Sequence, residues 1–210
     1  MKRIYFVRHG QSEGNANELR GHVSHQLTKR GREQAAFIAE RCANLPIDCI
    51  ISSTVLRAKE TAGFIAEKLN MVPEYSDLFV EARSSSNVTG KPRTDEGAIA
   101  AQAAIDANFH VPGFRYEDAE NFEDLNERAR QALDLLAHRE EDSVLVVTHG
   151  FFMRIIMARV VHGDDLTAEL CRDFIRSFHL ENTGLTVLGY DETKLKPWWV
   201  WIWNDHAHLG

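Results

Sequence analysis

Residues 143–150 read SVLVVTHG and residues 3–10 read RIYFVRHG, two strand-forming runs that each close on a His-Gly pair. In the first, the apolar stretch is continuous rather than alternating, which marks a strand covered on both faces, the kind found inside parallel sheets. The second is rich in β-branched and aromatic residues and passes directly into HGQSEGN at 9–15, a polar, Gly-containing loop. Each run is a strand that ends in a turn bearing histidine.

The flanking segments extend the pattern. Thr28 is a plausible N-cap for TKRGREQAAFIAERCANL, in which Ala35, Ile38, Ala39 and Cys42 fall at helical spacing on one face. CIISS at 49–53 reads as a strand and RAKETAGFIAEKL at 57–69 as the helix after it. DLFVEA at 77–82 reads as a short strand, and FFMRIIMARVV at 151–161 as the helix that follows SVLVVTHG. Strand and helix alternate, so the expectation is an α/β fold with a largely parallel sheet. Such sheets bind ligands beyond the carboxyl ends of their strands.

Residues 83–118 interrupt the alternation with a polar start, an Ala-rich helical piece and HVPGFRYED at 110–118. Ile99, Ile105, Phe109, Phe114 and Tyr116 are expected to pack this segment down as an excursion over the sheet edge. Residues 177–203 read as two or three strands with a turn at Asn182-Thr183-Gly184, and WWVWIW at 198–203 reads as a buried strand.

Composition sets limits. The chain has 210 residues, 44% hydrophobic and 26% charged, which suits one globular domain over residues 1–210. A net charge of −7 argues against a protein held on nucleic acid by a general positive field, so an anionic ligand has to meet a local basic pocket. Cys42, Cys49 and Cys171 form no CxxC or CxxH pair, and a reducing cytoplasm is the expected compartment. MKRIYFVRHG is too short in apolar residues for a signal h-region, and no run approaches a membrane span.

A histidine at a strand end serves as readily as a satisfied structural side chain as a reactive one. The pairing of His9 with His149 at matching positions, with Arg8 beside His9, brings the two readings level. RHGQSEGN at 8–15, LTKRG at 27–31, SSTVLRAKETA at 52–62, Glu81 and VTHG at 147–150 together resemble the histidine phosphatase superfamily, also called the phosphoglycerate mutase-like family. The blocks occur in that order from residue 3 to about residue 160. The resemblance implies a three-layer α/β/α sandwich, phosphoglycerate mutase-like, with His9 as the nucleophile that becomes phosphohistidine. It also implies that Arg8, Arg57 and His149 surround the phosphoryl oxygens and that Glu81 is the general acid. No cofactor and no metal are implied.

Simple chemistry agrees with these roles. An imidazole attacks only when neutral, and cationic neighbours lower its pKa. Charge on a transferring phosphoryl group spreads over three oxygens, two of which a guanidinium can grip at once. At an effective dielectric of about 20, unit charges about 4 Å apart attract by roughly 4 kcal/mol before desolvation is counted. Arg57 by itself would read as a solvated helix charge.

Asn15 is either a turn residue or an amide donor to phosphate, and Ser12 is either a loop cap or a phosphate contact. Gly10 permits close backbone approach to a ligand, and Gly150 opens a helix whose free N–H groups face an anion. Glu81 can act as an acid only if it is protonated at the moment of attack; otherwise it is a surface carboxylate paired with Arg83. His206 and His208 read as strand-end or pocket-rim polarity, since two ligands make a poor metal site.

The expected reaction is hydrolysis of a small phosphorylated substrate, with no nucleic-acid or membrane partner and with the oligomeric state open, a homodimer included. One alternative is a phosphoglycerate mutase. The mutases carry a pattern like ERxYGxLxGxxK, whereas EARSSSNVTGKPR at 81–93 lacks its Tyr and Leu. Another is a silent relative that only binds phosphorylated partners. Arg83, Lys91, Arg93 and Arg115 are candidates to receive a second anionic group, or else plain surface charge.

Overall fold

The computed structural model describes residues 1–210. Strands β1 (Lys2–Arg8), β2 (Cys49–Ser53), β3 (Glu74–Ser76), β4 (Ser143–Thr148), β5 (Leu185–Tyr190) and β6 (Trp198–Asp205) form one sheet in the spatial order β3-β2-β4-β1-β5-β6. Three of its five pairings are parallel; β5 and β6 add antiparallel strands at one side.

Side-chain alternation along the central strands divides the core in two. On one face Tyr5, Val7, Leu145 and Val147 meet Ile38 and Cys42 of α2 (Lys29–Cys42) and Ala58, Ala62 and Ile65 of α3 (Leu56–Leu69). On the other, Ile4, Phe6, Val144 and Val146 meet α5 (Phe122–Ala137), α6 (Gly150–His162) and α7 (Ala168–Ser177) through Leu133, Phe152, Ile156 and Phe174. All six residues of β4 are buried, as its unbroken apolar run requires. Burial of each large side chain stabilises by about 1.5–3 kcal/mol, so the doubly covered β1 and β4 anchor the three-layer α/β/α sandwich. Thr28 caps α2 by accepting the Gly31 N–H at 3.0 Å.

Two expected strands differ. Only Glu74–Ser76 pairs with β2; Asp77–Phe79 winds into a 3-10 turn, because the Ser76 hydroxyl takes the Leu78 N–H and Phe79 dives fully into the core. Glu81 therefore sits on irregular chain. WWVWIW is a strand, but one at the sheet edge, where composition says buried and position says half-covered. Trp203 packs against Phe174 and Phe178, while Trp201 is 49% exposed beneath the Arg3 guanidinium.

The excursion over 83–118 contains α4 (Glu96–Asn108), capped by Asp95 accepting from the Ala98 N–H at 2.9 Å. It forms its own small cluster of Val88, Ala98 and Ala101 against Tyr116, and Phe109 joins it to the main core through an edge contact with Phe122. Ile99 faces solvent rather than the core. A short antiparallel bridge between Leu19 and Pro92 stitches the excursion to the loop after β1. Arg20 N–H donates to Lys91 O at 2.8 Å and Arg93 N–H to Glu18 O at 2.9 Å. No helix is long and apolar enough to cross a membrane.

Candidate functional site

The carboxyl ends of β1, β2 and β4 present His9, Ser53 and His149 side by side. The two imidazole rings lie with centroids 5.0 Å apart, 3% and 0% exposed. His9 Nδ1 lies 2.7 Å from the Gly10 carbonyl, which can only accept, so Nδ1 carries the proton and Nε2 the lone pair. Arg57 donates to that Nε2 from its own Nε at 3.0 Å and to His149 Nδ1 from Nη2 at 3.0 Å. His149 must then carry its proton on Nε2, which donates to the Ser53 hydroxyl at 2.8 Å. Burial, then Arg57, push the pKa of each histidine well below the ordinary 6.5, with Arg8 adding to both.

The loop that carries His9 is held from three sides. Gly10 N–H donates to Thr61 Oγ1 at 3.1 Å, and Thr61 in turn donates to the Arg57 carbonyl at 2.8 Å. Asn182 donates from Nδ2 to His9 O at 2.8 Å, and Thr183 N–H to Arg8 O at 3.0 Å. A Cβ on Gly10 would come within 2.4 Å of Gly31 O, and one on Gly31 within 1.9 Å of Gln11 O. Gly10 is thus required for the close approach of this loop to α2. Ser12 and Asn15 bind one another: both the Ser12 N–H and its hydroxyl donate to Asn15 Oδ1 at 3.1 Å. Ser12 is the buried N-cap of the short helix α1 (Glu13–Ala16), and Asn15, within it, is exposed with its Nδ2 donors uncommitted.

Arg8 donates to Leu180 O, while its buried Nε has no partner. A Cβ on Gly150 would lie 3.0 Å from that Nε, so glycine makes room for the guanidinium at the start of α6. The next N–H groups of α6 are already taken. Phe152 N–H donates to Glu81 Oε1 at 2.9 Å and Phe151 N–H to Oε2 at 3.2 Å, with Ala82 N–H also on Oε1 at 3.0 Å. The anion seated on this helix start is the protein's own carboxylate, not one paired with Arg83. Arg128 of α5 holds the segment before Glu81 by donating to Leu78 O at 3.2 Å and Val80 O at 2.7 Å. It also pairs with Glu120, whose carboxylate accepts the Arg83 N–H. The chain is gripped on both sides of Glu81.

Arg8, His9, Ser12, Asn15, Arg57, Glu81 and Gly150 all line one cavity of about 840 Å³. His149 lies behind Arg57 and His9, outside the cavity wall. Six arginines (8, 20, 57, 83, 93 and 154) face the cavity against Asp77, Glu81 and Glu120. Glu120 is already neutralised by Arg128, so the interior is basic within a chain of charge −7. Of the proposed receivers of a second anion, Arg83 and Arg93 line it. Lys91 is instead turned to Asp95 at 3.8 Å, and Arg115 pairs with Asp124. Ser53, Thr61, Asn182, Arg20 and Arg154 complete the site and were not expected. Ser53 alone carried a signal, since it ends a strand at the same sheet edge. No three His, Cys, Asp or Glu side chains converge so as to hold a metal ion.

The family profile for the histidine phosphatase superfamily (branch 1) matches residues 4–205. The chain belongs to that superfamily. Among curated relatives it is 27% identical over 217 residues to a probable phosphoglycerate mutase of Enterobacter sp. (strain 638), covering 100% of this chain and 95% of the relative. It is also 27% identical over 216 residues to the metal-independent phosphoserine phosphatase of Arabidopsis thaliana, covering 99% and 83%. A putative α-ribazole-5'-P phosphatase from Escherichia coli K-12 superposes with a TM-score of 0.80 over 98% of each chain at 19% identity, which speaks for the fold. The histidine phosphatase motifs, the profile and the sheet topology thus agree.

Proposed function

We propose that this chain is a phosphomonoester hydrolase that works through phosphate held covalently on His9 Nε2. The observation that carries this reading is the tautomer. The Gly10 carbonyl fixes the proton on Nδ1, so the lone pair of Nε2 lies beside Arg57 at the edge of a basic cavity. When a substrate phosphate enters, Arg57 exchanges its two imidazole contacts for two phosphoryl oxygens, and Nε2 is released for attack. Arg8, with an unpartnered Nε–H, and Asn15, with free amide donors, meet the remaining oxygens. His149, freed of Arg57, faces the same charge from behind.

The ester oxygen leaves with a proton that we assign to Glu81, which then takes a proton from the water that attacks phosphohistidine. For this a proton must replace one of the N–H contacts that the Glu81 carboxylate now accepts from α6. We read residues 1–210 as one catalytic domain with 83–118 as its substrate-covering part, acting on a small phosphorylated substrate. The unpaired thiols support a cytoplasmic location.

Rapid quenching with ³²P-labelled aryl phosphate should trap acid-labile, base-stable label on the wild type and none on His9→Ala. Label kept at full level in that variant would remove His9 as the nucleophile. A mutase reading has similarly named relatives on its side, and interconversion of 3- and 2-phosphoglycerate primed by 2,3-bisphosphoglycerate, faster than hydrolysis, would establish it.

A further inference from the structure

The turn 181–184 grips the main chain of both Arg8 and His9 from behind, and no residue of it lines the cavity. Asn182 donates from Nδ2 to His9 O at 2.8 Å, Thr183 N–H donates to Arg8 O at 3.0 Å, and Gly184 O accepts the Arg8 N–H at 3.3 Å. One residue of the turn breaks the usual rules. The Gly184 N–H closes the turn on Glu181 O at 3.0 Å, which makes Thr183 the third residue, and its φ is 59°. A left-handed third residue calls for glycine or asparagine, and a β-branched side chain there is strained. The glycine comes one position later, where its missing Cβ leaves room for the Asn204 side chain.

A strained residue persists only where its surroundings hold it. Thr183 is fully buried, and its hydroxyl has two polar partners: it donates to Asn182 O at 2.7 Å and lies 3.0 Å from His208 Nε2. With its one proton spent on a carbonyl, the Thr183 oxygen can only accept from His208, so Nε2 carries the imidazole's proton. His208 Nδ1 is buried without a partner, which suits a lone pair. Burial, then Arg41, lower the His208 pKa against the opposing pull of Asp205, which keeps that nitrogen unprotonated. His208 belongs to the single turn Ala207–Leu209 after β6, and the chain before that turn is itself anchored. Asp205 pairs with Arg41 of α2 and accepts the Ala207 N–H at 3.1 Å, while Asn204 Oδ1 accepts the Glu181 N–H at 2.8 Å.

Resting on the phosphohistidine reading above, we propose that His208 is a positioning residue for His9 and Arg8. It acts through Thr183: the bond from Nε2–H to the hydroxyl holds the turn in the left-handed conformation from which Asn182 and Thr183 reach the two carbonyls. His208 lies outside the cavity and touches no reacting atom, so its effect is on geometry alone. Without that bond Thr183 relaxes toward ordinary backbone angles, and the Asn182 amide is drawn away from His9 O. A reacting group displaced by about 1 Å costs on the order of 10²-fold in rate.

Pre-steady-state labelling tests this. The quantity read is the rate constant with which ³²P from a saturating aryl phosphate reaches the protein in wild type, His208→Leu, His208→Gln, Thr183→Gly and Thr183→Gly/His208→Leu. A first-order rate constant does not depend on how much of a variant is folded, and an aryl leaving group makes little demand on Glu81. His208→Leu should be slower than wild type by about tenfold or more. His208→Gln, whose amide restores an N–H donor, should stay within about threefold of wild type. In the Thr183→Gly background there is neither hydroxyl nor strained side chain to hold, so the same His208→Leu change should cost less than about twofold. A role in packing or stability alone would not depend on residue 183. A His208→Leu loss under about threefold, His208→Gln as slow as His208→Leu, or equal losses in the two backgrounds overturns the proposal. If His208→Leu does not fold, Thr183→Val severs the bond from its other side and is read in its place, and an undiminished rate there overturns the proposal as well. If wild type takes no label, the nucleophile reading fails instead. The hold on Arg8 and His9 is then judged by hydrogen exchange at the Thr183 N–H: exchange about tenfold or more faster in His208→Gln/Thr183→Val than in wild type supports it, and equal exchange rejects it.

Discussion

A single guanidinium joins the two imidazoles of the site: Arg57 donates to His9 Nε2 through Nε and to His149 Nδ1 through Nη2, both at 3.0 Å. The same fork that holds the histidines apart matches two oxygens of a phosphoryl group. A lysine in its place keeps the charge and loses the fork. Arg57→Lys is expected to lower kcat/KM for an aryl phosphate by on the order of 10²–10³, the usual loss when one preorganised donor of a charge-stabilising site is removed. Steady-state kinetics decide it, and a loss below tenfold would show that a point charge suffices.

The low pKa of His9 and His149 has two consequences with pH. Since burial and Arg57 hold both below 6.5, His9 stays neutral at pH values where a free imidazole would be protonated. The acidic limb of kcat/KM that belongs to His9, the proposed nucleophile, should therefore lie well below pH 6.5, and a limb at 6.5 that disappears in no other histidine variant would contradict the burial argument. Stability follows the same shift. In the window between the folded and unfolded pKa values the unfolded chain binds protons that the native chain does not, so stability rises with pH there and is lost as the pH falls below about 6.5. The two histidines together set a slope of up to about 3 kcal/mol per pH unit. Urea unfolding at pH 7.5 and 5.5, repeated on His149→Gln, should show a shallower loss in the variant.

Glu81→Gln keeps an acceptor for the α6 N–H groups but cannot deliver a proton. Alkyl phosphates, whose leaving oxygen needs one, should slow by about 10²–10⁴-fold, and aryl phosphates much less. Equal losses across leaving groups would move the acid to another residue.

Arg128 grips Leu78 O, Val80 O and Glu120 from within the core, its guanidinium 3.7 Å from the centre of the Phe152 ring. Arg128→Met leaves Glu120 buried and unpaired, at a cost of about 3–5 kcal/mol by denaturant titration. In the fraction still folded, the loss of activity should again be larger for alkyl than for aryl phosphates, because what loosens is the segment bearing Glu81.

Much of this was readable from local sequence. His9, His149 and Arg57 follow strands whose composition is unambiguous, and strand ends of a parallel sheet share one edge wherever the helices lie. Glu81 was legible as a residue but not in its setting, since its partners Phe151 and Phe152 lie some seventy residues further along, across a crossing of the chain that no local pattern encodes. WWVWIW misleads for a related reason: an apolar run reports affinity for cover, and whether a strand ends up central or at the edge is decided by the order of the sheet. α5 and α7 stand outside the sequence expectations, although Leu125, Ala129, Ala132, Leu133 and Leu136 in α5 form a readable stripe.

Gly31 lies inside a helix, where replacing glycine with alanine is the stock recipe for hardening a protein and is worth about 1 kcal/mol. Here the recipe would misfire. The missing methyl of Gly31 is the space into which the Gln11 carbonyl fits, two residues from His9. An engineer seeking a tougher enzyme has to leave this helix's weakest link in place, because it serves as the seat of the loop that carries His9.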